Sequence, residues 1–125
     1  LWEHLNPTDA NYGLSWNHGA ELVRRVNKKN MALVCDLYHI DINRESLRDL
    51  EQDPSLIGHV HMAQLEGTAR LGLLPSHEDR YEEFFAKLRS LHYDGIVSIE
   101  AFSGVPSEEA ARSIDILKKL AQARD

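Results

Sequence analysis

The sequence is poor in several features that mark particular protein classes. Cys35 is its one cysteine, so no disulfide can form within the chain, as fits a reducing compartment. No apolar run approaches the roughly 20 residues that a membrane-spanning helix needs. No basic, apolar leader opens the sequence, and a cytoplasmic location is the expectation. Lysine and arginine form no basic stretch, and the net charge is −6, which argues against a nucleic-acid partner, because phosphate binding needs clustered cations. Internal repeats and low-complexity segments are also lacking. What is present is ordinary for a globular domain: 42% hydrophobic and 27% charged residues in a chain of 125. Residues 1–125 therefore read as one domain.

Four short stretches end in a side chain able to hold a metal: Leu1-Trp2-Glu3, Met31 to Asp36, Ile57 to His61 and Ile96 to Glu100. Apart from the short first one, each is an apolar run that reads as a strand covered on both faces. Period-two alternation puts Ala32, Val34 and Asp36 on one side, and Met31, Leu33 and Cys35 on the other. Cys35 thus reads as a packing residue rather than a nucleophile.

Helical spacing appears between the strands. Asn17 is placed to cap a helix through Gly19, Ala20, Val23 and Val26, closed at Asn30. A short helix is expected from Arg44 to Glu51, with Leu47 and Leu50 inward, ended by Asp53-Pro54. Tyr81, Phe84, Phe85, Leu88 and Leu91 mark an amphipathic helix. A last helix is expected with Pro106 in its first turn and a buried stripe of Ala110, Ile114, Leu117 and Leu120 or Ala121. Residues 63–76 are irregular and longer than an ordinary loop, which often signals function.

Strands alternating with helices imply a parallel sheet, whose reactive groups collect at the carboxyl ends of the strands. Glu3, Asp36, His61 and Glu100 are therefore expected to meet. Three carboxylates and one imidazole suit a single Mn²⁺, Mg²⁺, Co²⁺ or Zn²⁺. His39 is placed to bind a substrate oxygen or the metal. His59 reads as a packed histidine or a support for His61, and His77 as a solvated loop residue. Asp9 reads as a turn or helix device, or a substrate contact. His4, His18 and His92 carry no spacing argument.

These residues resemble the motifs of the xylose-isomerase-like TIM-barrel superfamily, which holds sugar-phosphate isomerases, epimerases and endonuclease IV relatives. Glu3-His-Leu-Asn6 resembles its E-x-L-N after the fifth strand. Asp36-Leu-Tyr-His39-Ile-Asp-Ile resembles its D-T-x-H-M-x-I after the sixth. His59-Val-His61-Met-Ala resembles its H-x-H-x-x at the seventh. Tyr93-Asp-Gly-Ile-Val-Ser-Ile-Glu100 resembles its Y-D-G-x-x-S-x-E at the eighth. The resemblance covers essentially the whole chain. It implies an α/β fold, namely the C-terminal half (strands five to eight with their helices) of a (β/α)8 TIM barrel.

By the same resemblance, Glu3, Asp36, His61 and Glu100 ligate one divalent ion, Glu3 and Glu100 act as acid and base, and His39 contacts substrate. The segment after His61 departs from the family pattern, and with no arginine at the usual offset Arg70 is the candidate for the substrate-gripping one. Asp9 stands where epimerases tend to have Glu. The implied activity is metal-dependent isomerisation or epimerisation of a sugar, ketose or sugar phosphate through an enediolate, with a carbohydrate as the small-molecule partner. The alternatives are a same-fold dehydratase, an abasic-site endonuclease and a non-catalytic, self-associating half barrel. A half barrel would leave Ala32, Val34, Ile57, Ile96 and Ser98 on an uncovered side, and a homo-oligomer is expected to cover it.

Overall fold

A computed structural model describes residues 1–66, 70–102 and 107–123. Strands β1 (Trp2–Glu3), β2 (Leu33–Asp36), β3 (Ile57–Met62) and β4 (Val97–Ile99) form one sheet in chain order, and every neighbouring pair is parallel. Parallel neighbours need a crossover between them. Helix α1 (Trp16–Val26) supplies the first. Helix α2 (Leu37–Ile42), with the 3₁₀ turns Leu47–Gln52 and Pro54–Leu56, supplies the second. Helix α3 (Glu78–Ser90) supplies the third, and α4 (Ser107–Gln122) follows β4. The Pro106 expectation lies outside the described residues. Among the described residues, no helix is long and apolar enough to cross a membrane.

The register brings the four expected ligands to one side of the sheet. Glu3 lies opposite Val34, Asp36 opposite His61, and His61 opposite Ser98. Val34 to Asp36 and Ser98 to Glu100 are both two-residue steps, and even steps preserve the side. The other side carries Leu33, Cys35, Val60 and Met62 into the core against Trp16, Ala20 and Val23 of α1 and Tyr81, Phe84 and Leu88 of α3. Burial pushes the Cys35 thiol up, above its ordinary range, so it packs and does not react. Of the residues expected on the uncovered side, Ile57 instead joins this core. A register irregularity between Leu33 and Val34 accompanies that change. Ile96 is 70% exposed, one residue before β4.

Several local expectations are corrected. Ser15, not Asn17, caps α1: its Oγ accepts from the His18 amide at 3.2 Å. The helix closes at Asn27 in the left-handed region, φ 49°, three residues before Asn30. The segment expected as a helix from Arg44 is a 3₁₀ turn, although Leu47 and Leu50 do point inward. Helix α2 was not expected. Its run Leu37–Ile42 is too short to show a helical period, and its cap is the metal-competent Asp36, whose Oδ1 accepts from the Tyr38 amide at 2.9 Å.

The buried stripe of α4 is Ser113, Ile116 and Leu120, whereas Ala110, Ile114 and Ala121 are exposed. Polar contacts set that rotation. Ser113 Oγ accepts from the Leu73 amide at 2.9 Å, Arg112 Nε donates to the Leu73 carbonyl at 3.2 Å, and the Glu109 carboxylate accepts from the Gly72 amide. Ile114 and Leu117 then line a groove of about 530 Å³ with Phe85, Tyr93 and Val97.

Trp2, beside Glu3, is clamped by two glycines. A Cβ on Gly13 (φ +71°) would lie 2.1 Å from its ring, and one on Gly19 would lie 2.7 Å away. Gly in a helix interior ordinarily costs about 0.5–1 kcal/mol relative to Ala, so Gly19→Ala would normally stabilise. Here overpacking, typically about 1–3 kcal/mol, outweighs that gain. Gly19→Ala is expected to lower the thermal midpoint, and a raised midpoint would show that the indole yields.

Candidate metal centre

Glu3 ends β1, Asp36 ends β2, His61 lies in β3, and Glu100 directly follows β4. The Glu100 amide donates to the Met62 carbonyl at 2.9 Å, which extends the β3–β4 pairing to the site. One donor atom from each of the four lies within 4.8 Å of the others. Ligands about 2.0–2.6 Å from one ion stand at most about 5 Å apart, so the set fits a single cation. His61 Nδ1 is 3.1 Å from Glu100 Oε2 and 3.5 Å from Glu3 Oε1. Those three atoms are buried and crowd together around the Arg70 guanidinium, an arrangement of acceptors that a positive charge at the centre stabilises. Three hard oxygen donors and one imidazole match a divalent metal of the Mn²⁺, Mg²⁺, Co²⁺ or Zn²⁺ type.

The electrostatics are mutual. Burial opposes ionisation of Glu3, but His61, then His39 and Arg70, outweigh it and hold the carboxyl below its usual range. The hydrogen-bonding environment of Glu3 raises the pKa of His61 against burial, with the charge of Glu100 adding to it. A proton therefore competes with a cation for His61 as the pH falls.

His39 is fully buried at the rim of this group. Its Nε2 lies 3.9 Å from Glu3 Oε1 and 3.8 Å from Asp36 Oδ2. The backbone amide of Asn6 donates to His39 Nδ1 at 3.1 Å. A backbone N–H can only donate, so Nδ1 must accept. Burial lowers the His39 pKa despite Glu3, which favours the neutral ring with its proton on Nε2. That nitrogen therefore faces the cluster as a hydrogen-bond donor, not a metal ligand. Asn6 is itself fixed: its Oδ1 accepts from the Thr8 amide at 2.8 Å, and its Nδ2 donates to Asp9 Oδ2 at 2.7 Å. Asp9 thus acts locally, as a turn device.

Arg70 also enters the cluster. Its Nη2 hydrogen-bonds Asp36 Oδ2 and lies 2.6 Å from Glu100 Oε2 and 3.9 Å from Glu3 Oε1. The guanidinium carbon lies over the rings of Tyr38 (4.9 Å) and Phe102 (5.2 Å). Neither ring was singled out from the sequence. For Phe102 no signal was available, while Tyr38 lay within the Asp36–His39 motif.

The remaining histidines separate cleanly. His59 Nε2 is 2.9 Å from Ser98 Oγ and its ring meets His61 edge-on at 5.0 Å, so it supports His61 from outside the ligand set. His4 is buried, 3.3 Å from Glu45 Oε1. Glu45 in turn accepts from the Trp16 amide at 2.7 Å, and Asn43 Nδ2 reaches the Leu5 and Leu14 carbonyls. That buried network, missed in the sequence, anchors the loop that follows Glu3. His77 is not simply solvated: it is half-buried and 3.3 Å from Glu66 Oε1. His18 packs edge-on against Tyr12, and His92 is exposed just beyond α3.

Consecutive parallel strands with crossover helices, and metal-competent groups at the carboxyl ends, define a portion of an α/β barrel. The family model for the xylose isomerase-like TIM barrel matches residues 1–120, and the chain belongs to that family. A search of curated protein sequences gives no match. Among solved structures, the chain is similar to a D-psicose 3-epimerase crystallised with D-fructose, at 22% identity and a TM-score of 0.71, covering 94% of this chain and 46% of that one. It is also similar to 3-keto-D-glucoside 4-epimerase from E. coli, at 24% identity and a TM-score of 0.70, covering 97% of this chain and 44% of that one. A D-allulose 3-epimerase from Methylomonas sp. gives 22% identity and a TM-score of 0.71, covering 91% and 39%. The chain thus spans less than half the length of these structures.

Proposed function

We propose that this chain is the metal-binding C-terminal half, strands five to eight, of a (β/α)8 barrel. The complete barrel is a divalent-metal-dependent epimerase or isomerase of a sugar, ketose or sugar phosphate. The observation that carries the reading is the convergence of Glu3, Asp36, His61 and Glu100 within 4.8 Å of one another. The similar solved structures are sugar epimerases, which agrees with it.

Glu3, Asp36, His61 and Glu100 would hold a divalent ion, which would supply Lewis-acid polarisation of a carbonyl and its neighbouring hydroxyl. The other steps belong to the side chains. Glu3 and Glu100 end the outermost strands and approach a substrate at the centre from opposite sides. One carboxylate takes the proton from the carbon beside the carbonyl, giving an enediolate, and the carboxylic acid of the other returns a proton to the opposite face. Glu3, held ionised by its neighbours, is suited to begin as the base. The His39 Nε2–H donates to a substrate oxygen, where negative charge develops. Arg70 grips a second substrate oxygen.

The test is turnover of a panel of ketoses and ketose phosphates in D₂O, with Mn²⁺ and the completed barrel. Deuterium should enter at the carbon beside the carbonyl. Conversion without label would replace the enediolate by direct hydride transfer, and no conversion across the panel would overturn the substrate class.

A further inference from the structure

Arg70 and a divalent ion need the same place. The Arg70 Nη2 hydrogen-bonds Asp36 Oδ2 and sits 2.6 Å from Glu100 Oε2 and 3.9 Å from Glu3 Oε1. These are three of the four residues of the proposed ligand set. A nitrogen at those distances lies inside the cluster, where a cation would approach each donor to about 2.0–2.6 Å. The two cannot be there together. We propose that the Arg70 guanidinium is a tethered cation that competes with the divalent ion for this cluster, so that metal loading requires the Arg70 head to swing out. The inference rests on the metal reading above.

The surroundings specify how the exchange happens. Arg70 is 5% exposed, and its carbonyl accepts from the Phe102 amide at 2.7 Å. The backbone is thereby tied to the end of β4, and the exchange is a rotation of the side chain, not withdrawal of the chain. Tyr38 and Phe102 both present their rings to the guanidinium, at 4.9 and 5.2 Å, so the head can move with a cation–π contact partly kept. Arg70 Nε is buried without a hydrogen-bond partner, so the head is fully satisfied only at the end that faces the carboxylates. The arrangement compensates the charge of three neighbouring carboxylates, one of them fully buried, when the divalent ion is away. Once displaced, the same guanidinium would stay tethered near the cluster, where it could contact a substrate oxygen.

The test is calorimetric titration of Mn²⁺ into the wild-type chain and into Arg70→Met, which keeps an apolar stem beside the Tyr38 and Phe102 rings. Removing a competitor held by charge-assisted hydrogen bonds is expected to tighten the Mn²⁺ Kd by roughly tenfold to a hundredfold. A fixed excess of Mn²⁺ should correspondingly raise the thermal midpoint more in Arg70→Met than in wild type. An unchanged or weaker Kd overturns the competition while leaving the metal reading intact. Binding by neither chain overturns both.

If Arg70→Met does not fold, the wild-type chain decides through phenylglyoxal labelling mapped by mass spectrometry. Mn²⁺ should accelerate modification of Arg70 and leave the exposed Arg25 unchanged. Arg70 labelling indifferent to Mn²⁺ overturns the proposal.

Discussion

Glu3→Gln and Glu100→Gln, introduced one at a time into the complete barrel, are each expected to lower epimerisation by about 10²–10⁴-fold, the usual contribution of a general acid or base. The substitution keeps size and a carboxamide oxygen, so a cation can still be held at saturating Mn²⁺. What it removes is the ability to take a proton. Metal content is measured alongside turnover to keep the two roles apart. If the carboxylates serve opposite faces, each variant should retain solvent exchange with one epimer only, and the two variants should differ in which one. Turnover that survives in either variant with its metal in place would remove that residue from the proton-transfer pair. Loss of metal together with turnover would make it a ligand first.

Most of the sheet is legible in the sequence because strand ends carry their own signal. Glu3, Asp36 and Glu100 each end an apolar stretch, His61 lies within one, and the even spacing that places them on one side is a property of any strand. The stripe of α3 is legible for a similar reason: Tyr81, Phe84, Phe85 and Leu88 recur at helical spacing and are all buried. The stripe of α4 is legible at Leu117 and Leu120 but misread at Ala110 and Ile114, because its rotation depends on hydrogen bonds to residues 72 and 73, nearly forty positions away. Ala110 and Ile114 look like core until Ser113 is seen to be taken inward. Helix α2 escapes because Asp36 has two uses, and its role as a cap hides behind its role as a strand end.

The protonation of His39 is likewise fixed by the Asn6 amide, 33 residues distant in the sequence. Spacing alone left it open whether His39 binds metal or donates to substrate. The geometry of that one donor makes Nδ1 the acceptor and leaves Nε2 as the protonated nitrogen of the neutral ring. Arg70 shows the same limit from the other direction. Its offset from His61 marks it only as a candidate, whereas its position among the carboxylates depends on the Tyr38 and Phe102 rings and on a backbone tie to the end of β4.

Asp36 is where fold and site meet, and its two oxygens separate them. Oδ1 accepts the Tyr38 amide and starts α2, which positions His39. Oδ2 faces Arg70 and the cluster centre. Asp36→Asn retains an oxygen for the cap but places a neutral amide in the cluster. Asp36→Ala loses both functions. Both substitutions are expected to weaken Mn²⁺ binding by at least about 100-fold, since even residues that only support metal ligands commonly contribute 10–100-fold in affinity. Their stabilities should differ. Both remove a fully buried carboxylate charge from beside Arg70, but only the alanine also abolishes an N-cap, a further cost of about 0.5–2 kcal/mol. Urea melts in the absence of metal read that difference directly, and calorimetric titration reads the affinity. Equal stability of the two variants would show that Oδ1 does not start the helix. Wild-type Mn²⁺ affinity in Asp36→Asn would reduce Asp36 to a cap, and the cluster would then lack the ligand at the centre of its sheet.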